Sequence, residues 1–384
     1  MPNRTTRRAW LLRLASLGAG LGLGGTAEAA QPAPLTGPAS PPPDPVRRGR
    51  PLVFPRDHGA HPGTRTEWWY ATGWLGRPDV PTHGVQVTFF RSRTGVARTS
   101  RSRFAARHVL FAHAAITDLE ARTHWHAQRI ARWSGDPDAR PDFARLDDAE
   151  LHIGRWWIRR EPHGHGATWR ARVDDGGTAL ELTLGRSQPL LLQGDAGFSR
   201  KSPVEEHASH YYSEPQLEAR AAIERDGRRV VGTGRAWLDH EWSEALLHPE
   251  AVGWDWIGMN LFDGGALTAF VLRRADGSTL WGGGSLRTPD GVLRTFAARE
   301  VRFEAGRRWT SPATRARYPV TWRIGAPGGP YEVRALLDAQ ELGGTGSGGT
   351  IYWEGVSELL DAAGRRIGLG YLEMTGYAGP LRLG

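Results

Sequence analysis

From Pro51 onward, apolar and polar residues alternate along the chain over short stretches. Val85-Gln86-Val87-Thr88-Phe89 puts every second side chain on an apolar face, and Glu181-Leu182-Thr183-Leu184 and Arg220-Ala221-Ala222-Ile223-Glu224 do the same. A period of two predicts half-buried strands. Turn signals separate these runs, among them Asp175-Gly176-Gly177, Arg225-Asp226-Gly227, Asp263-Gly264-Gly265 and Pro289-Asp290-Gly291. Asp-Gly pairs supply the positive φ angles of tight hairpins. No window carries an apolar stripe at i, i+3, i+4 and i+7 over a helical length. The pattern predicts an all-β fold of antiparallel strands in two halves, residues 51–236 and 237–384. Each half is long enough for a closed barrel of about eight strands, whose interior encloses one small ligand.

Hydrophobic residues make up 39% of the 384, enough for a sizeable core. There is no cysteine, which excludes disulfides, thiolate metal sites and cysteine nucleophiles. The net charge of +8 raises the question of nucleic acid. No run of five basic residues exists, and Lys201 is the single lysine, so the charge is dispersed arginine and predicts no nucleic-acid partner.

Part of that charge lies in the first thirty residues. Thr6-Arg7-Arg8-Ala9-Trp10-Leu11 is a twin-arginine motif, followed by an apolar stretch to Gly25 and by the small residues of Ala27-Glu28-Ala29. Residues 1–30 read as a twin-arginine signal peptide, and residues 31–50, with Pro41-Pro42-Pro43, as an extended Pro-rich linker. The apolar stretch is too short to span a bilayer, so no transmembrane span is expected in the mature chain. The expected location is periplasmic or secreted. Changing Arg7 and Arg8 together to lysine is expected to retain the protein in the cytoplasm. Cell fractionation reads the result, and normal export of that variant would refute it.

Tryptophan, at 17, outnumbers both phenylalanine and tyrosine, and it clusters. Glu67-Trp68-Trp69-Tyr70 opens the first half. Trp237-Leu238-Asp239-His240-Glu241-Trp242 lies at the junction, followed by Gly253-Trp254-Asp255-Trp256, and Tyr352-Trp353-Glu354-Gly355 comes late. Strand alternation places Trp254 and Trp256 on one face with Asp255 on the other. It also separates Asp239 and Glu241 from His240. Indoles lining a cavity with a few polar groups suit a hydrophobic ligand. Glu67, Trp68, Trp69, His113, Trp237, Trp242, Trp254 and Trp256 are the candidate ligand-binding residues. Asp239, Glu241 and Asp255, set among tryptophans, are candidate acids, and His240 is a candidate for positioning water or taking its proton.

Other chemistry is less well supplied. There is no Gly-x-Ser-x-Gly and no His-Glu-x-x-His. Ser209 lies between His207 and His210, a weak nucleophile–base signal. The histidine pairs lack an identified third ligand, so no metal and no cofactor is expected. Lys201 and Arg200 read as a loop at a barrel mouth able to meet an anionic head group.

Phe54-Pro55-Arg56-Asp57-His58-Gly59-Ala60-His61-Pro62 with Glu67-Trp68-Trp69-Tyr70 resembles the opening motif of the AttH/CrtC family. Phe111 to Asp118, Trp237 to Ser243, Gly253 to Trp256 and Gly370 to Tyr377 resemble its later signatures, in order. That family includes the hydroxyneurosporene synthases, or carotenoid 1,2-hydratases, and exported proteins labelled AttH or predicted secreted hydrolase. The resemblance implies two tandem lipocalin-like (calycin) barrels. It further implies an exported protein that binds an isoprenoid or lipid and serves an ABC transporter. The alternative it implies is a hydratase adding water to a C=C bond, or a secreted hydrolase. The hydratase reading calls for a catalytic carboxylate on a strand downstream of the His-x-Trp segment. The strand Leu267–Arg273 holds no acid, and the sequence leaves that group unplaced.

Overall fold

The computed structural model describes residues 44–96, 102, 105–163, 166–343 and 351–381. The signal segment and the linker up to residue 43 lie outside them. Asp44–Arg50, expected to be a free tether, lies against the body: the Asp44 amide donates to the Gly63 carbonyl at 3.1 Å, and the Arg48 guanidinium sits 4.6 Å from the Phe198 ring centroid.

The regular structure of the described residues is almost all strand, most of it in two large antiparallel sheets. The first has thirteen strands. A meander of Thr66–Gly76, Pro81–Arg93, His108–Asp118 and Thr123–Trp133 forms one part of it. Strands from Phe143 to Gly185 form the other, and Ala208–Arg225 with Arg228–Ser243 joins the two. Its outer strands approach each other, so the sheet curls into a nearly closed barrel. The second sheet has ten strands and forms a half-barrel centred on Gly253–Leu261, Arg366–Thr375 and Tyr352–Leu360. The two-barrel, all-β expectation holds. In the hairpin between Arg225 and Arg228, Asp226 and Gly227 both take positive φ, +51° and +74°, as the Asp-Gly signal requires.

The boundary expected at Trp237 falls inside a strand. Arg228–Ser243 belongs wholly to the first sheet, pairing with Thr66–Gly76 on one side and Ala208–Arg225 on the other. The chain changes sheets between Ser243 and Gly253. Ten consecutive ladder pairs, from Thr66↔Ser243 to Leu75↔Gly234, hold the strand there, and a tryptophan-rich composition carries no mark of that pairing.

Both barrels are filled with side chains, contrary to the expectation of an internal ligand. Trp69, Trp133, Trp156, Trp169 and Trp242 pack the first interior with Val85, Val87 and Phe89. Ile257, Met259, Trp353, Leu372 and Met374 pack the second. A third cluster lies between the sheets and contains Tyr70, Trp74, Trp237, Trp256, Phe270 and Leu272. The central strands are therefore buried on both faces: Trp69 and Ala71 point into the first barrel, while Trp68 and Tyr70 point toward the second.

Candidate functional site

A cavity of about 390 Å³ lies between the two barrels. That is the size of a small-molecule site, and its lining is mostly apolar. The first sheet contributes Trp68, Phe90, Phe111 and His113, and the second Trp254, Trp256, Phe270 and Leu272. Four carboxyl groups reach it: Asp239 and Glu241 from one strand, Glu354 and Glu373 from two neighbouring ones.

Asp239 is buried and accepts three hydrogen bonds. The Tyr211 hydroxyl donates to Oδ2 at 2.8 Å, while the Ser213 hydroxyl at 2.5 Å and the Trp237 indole at 2.7 Å both donate to Oδ1. Burial pushes its pKa up and the three donors pull it back, leaving it at about 7. Two residues along, Glu241 pairs with the Lys201 ammonium at 2.8 Å and accepts from the Ser209 hydroxyl. Ser209 is thus engaged with a carboxylate and with the Ser199 carbonyl rather than with a histidine.

Glu354 and Glu373 are register partners on adjacent strands. Burial and the neighbouring Glu373 raise the Glu354 pKa well above the ordinary carboxylate value. The Tyr70 and Tyr352 hydroxyls lie near enough to favour its charge. They are not aligned as donors, and both Glu354 oxygens are buried without a hydrogen bond. Glu373, partly open to the cavity, is pushed up to about 7 by burial, with the charges of Asp239, Glu241 and Asp255 reinforcing the shift and Trp254 opposing it.

His113 completes the polar lining. Its Nδ1 lies 2.7 Å from the Tyr352 hydroxyl, while its Nε2 is buried without a partner. Burial lowers its pKa to about 4, which leaves the ring neutral at physiological pH.

Of the sequence candidates, Trp68, His113, Asp239, Glu241, Trp254 and Trp256 line the cavity. Trp237 packs behind it and orients Asp239. The others lie elsewhere. Asp255 points into the second barrel, where Arg273 (2.7 Å) and Tyr377 (2.9 Å) hold it. Glu67, Trp69, His240 and Trp242 belong to the first barrel's interior.

There Glu67 is the hub of a buried network. Arg91 Nε donates to Oε2 at 2.8 Å, while His61 Nδ1 and His240 Nε2 lie 2.7 and 3.0 Å from Oε1. Burial would raise the Glu67 pKa, but Arg91 and His61 more than offset it and hold the carboxylate well below its ordinary range. His61, Glu67 and His240 are the group among the described residues whose donor atoms converge as a metal site would need. Arg91 occupies the second oxygen of Glu67, and Asp57 faces the other nitrogen of His61 at 3.1 Å. The polar atoms are thus satisfied by one another, and the group reads as an ion-paired clamp.

Sequence reasoning did not select Tyr70, Tyr211, Tyr352, Glu354 or Glu373 for this site, and it set Lys201 at a barrel mouth to meet an anionic head group, whereas Lys201 lines the cavity paired with Glu241. Glu354 and Glu373 stood inside quoted motifs, but only the pairing of Tyr352–Leu360 with Arg366–Thr375, and of the latter with Gly253–Leu261, aims them at Asp239.

Taken together, these features define a tandem pair of antiparallel barrels with an aromatic, carboxyl-bearing cavity between them. The chain belongs to the AttH-like family, whose profile matches residues 45–377. A candidate AttH from Nitrosomonas europaea is similar over 87% of this chain and 99% of its own, at 40% identity and a TM-score of 0.78. Kievitone hydratase from Nectria haematococca shares the fold at 14% identity, covering 89% of this chain and 99% of its own, with a TM-score of 0.61. CghA solved with Sch210972 shares it at 13% identity, covering 91% and 97%, with a TM-score of 0.56. No sequence among curated proteins matches the chain.

Proposed function

We propose that this is an exported acid–base catalyst that adds water to, or removes it from, a C=C bond of a hydrophobic molecule held between the barrels. The observation that carries it is the convergence of four carboxyl groups on one apolar cavity, with Asp239 and Glu373 pushed up to about 7. A surface that only binds apolar ligands gains nothing from buried carboxyl groups, each of which costs several kcal/mol to desolvate. A buried acid that keeps its proton near neutrality is what proton transfer to carbon needs. Asp239 or Glu373 gives the proton. Neutral His113, with Nε2 unpartnered, takes one from water, the role the sequence had offered to His240. Glu354 or Glu373 supplies the carboxylate missing from Leu267–Arg273. The hydratase name of a protein sharing the fold agrees with this reading.

The second reading is a carrier that binds an isoprenoid or lipid and hands it to an ABC transporter. The predominance of apolar residues in the cavity favours it. Binding is common to both readings. Purified protein titrated with retinol or a carotenoid is expected to lose tryptophan emission at micromolar ligand, since Trp68, Trp254 and Trp256 line the cavity. Mass spectrometry of the incubated ligand then separates the readings. A product heavier or lighter by one water supports catalysis, whereas quenching without product leaves the carrier. An unchanged emission with every such ligand would refute both.

A further inference from the structure

Lys201 is the one cation in the cavity lining and the single lysine of the chain. It is 5% exposed, set in a wall whose other residues are aromatic, aliphatic, acidic or hydroxyl-bearing, with neutral His113. Its Nζ meets Glu241 Oε1 at 2.8 Å and donates to Ser199 Oγ at 3.1 Å. The Phe270 and Tyr211 rings lie 4.3 and 4.8 Å from it. An ammonium has three donors, and these contacts take two. The rings offer faces but no lone pair, which leaves the third N–H for whatever fills the cavity.

The surroundings decide what that is. Glu241 already shares that nitrogen as its counter-ion, so an anionic ligand group placed there would meet like charge. A hydroxyl can accept from Lys201 only while its own proton is aimed at a second acceptor. A neutral carbonyl oxygen accepts only, and it is the complement of a spare charged N–H. Resting on the acid–base reading above, we propose that the cavity takes an unsaturated carbonyl compound whose carbonyl oxygen is held by Lys201, with its C=C bond toward Asp239, Glu373 and His113.

This placement suits the chemistry. Carboxyl groups that hold their protons to near neutrality are weak acids for an isolated alkene. Conjugation to a carbonyl lowers that demand. Water oxygen bonds to the β-carbon as its proton passes to His113, and the C=C π electrons move onto the carbonyl oxygen beside Lys201. The resulting enolate then takes a proton from a carboxyl group at the α-carbon, and the proton held by His113 passes back to that carboxylate. The sum is one water added across the double bond, with no oxidant or reductant. Lys201 stabilises charge that develops only during reaction.

Chalcone, a conjugated aromatic ketone, and 1,3-diphenylpropene, the same skeleton without oxygen, test the proposal. Wild-type protein is expected to bind chalcone about tenfold or more tightly than diphenylpropene, and the bound chalcone absorption band is expected to move to longer wavelength. Lys201→Met is expected to abolish both the band shift and the preference while leaving diphenylpropene binding unchanged. Because that variant leaves Glu241 unpaired, the double variant Lys201→Met, Glu241→Gln is run beside it and is expected to behave alike. Equal binding of the two probes with no band shift overturns the proposal and leaves the acid–base reading standing. A preference for chalcone that survives both variants also overturns it. Failure of both probes to bind wild-type protein overturns the proposal, and the retinol and carotenoid titration then decides the acid–base reading by itself.

Discussion

Glu67→Ala is expected to destabilise the protein by about 3–5 kcal/mol, the cost of stranding a buried charge. Arg91 is fully buried, and Glu67 is its carboxylate partner. It also donates to the Thr64 and His61 carbonyls at 3.0 Å, so it cannot turn to solvent. The same carboxylate accepts the His61 amide at 2.9 Å, which fastens the Phe54–Thr64 segment to the barrel wall. The change is read by urea or thermal unfolding, and a loss under about 1 kcal/mol would refute the clamp. Its pH dependence has a defined sign. Glu67 titrates below its ordinary 4.5, so its stabilisation is present above that value and is lost as pH falls through its depressed pKa. Burial lowers the His61 pKa, but Glu67 and Asp57 more than offset this and raise it, so its contribution is full below 6.5 and fades as pH climbs through the raised value. The clamp is strongest between the two, and Glu67→Ala should flatten the stability profile there.

Asp239→Asn is expected to lower the rate of the acid-dependent step by a factor of about 10² to 10⁴, with ligand affinity within a few-fold of wild type. The asparagine matches the shape but carries no transferable proton. A general acid works while protonated, so wild-type activity should fall as pH rises through about 7, and that limb should weaken or move in the variant. Stability follows the opposite logic to Glu67. Asp239 and Glu373 have pKa values raised from 3.8 and 4.5 to about 7, so the folded state holds protons that the unfolded chain has released across that window. Their contribution is full at low pH and is lost on rising toward 7, and Asp239→Asn should remove part of that slope. Unaltered turnover and an unaltered pH profile in Asp239→Asn would take Asp239 out of the chemistry and leave Glu373→Gln as the decisive variant.

The sequence determined which side of each strand a residue occupies. Period-two alternation set Trp254 and Trp256 together, opposed Asp255 to them, and separated Asp239 and Glu241 from His240; the structure keeps every one of these relations. Asp226-Gly227 marked its hairpin, because positive φ at two successive positions excludes most side chains. Alternation does not say what each face meets. Trp69 and Trp68 are equally aromatic, yet one fills a barrel and the other lines the cavity, since strands buried on both faces lose the polar–apolar contrast that tells inside from outside. Only tertiary structure placed the cavity between the barrels, turned His240 inward to Glu67 and sent Asp255 to Arg273. It also brought Glu354 and Glu373, more than a hundred residues downstream, up to Asp239. Their arrival depends on ladder pairing of Arg366–Thr375 with both Gly253–Leu261 and Tyr352–Leu360, a long-range register that no local window of residues encodes.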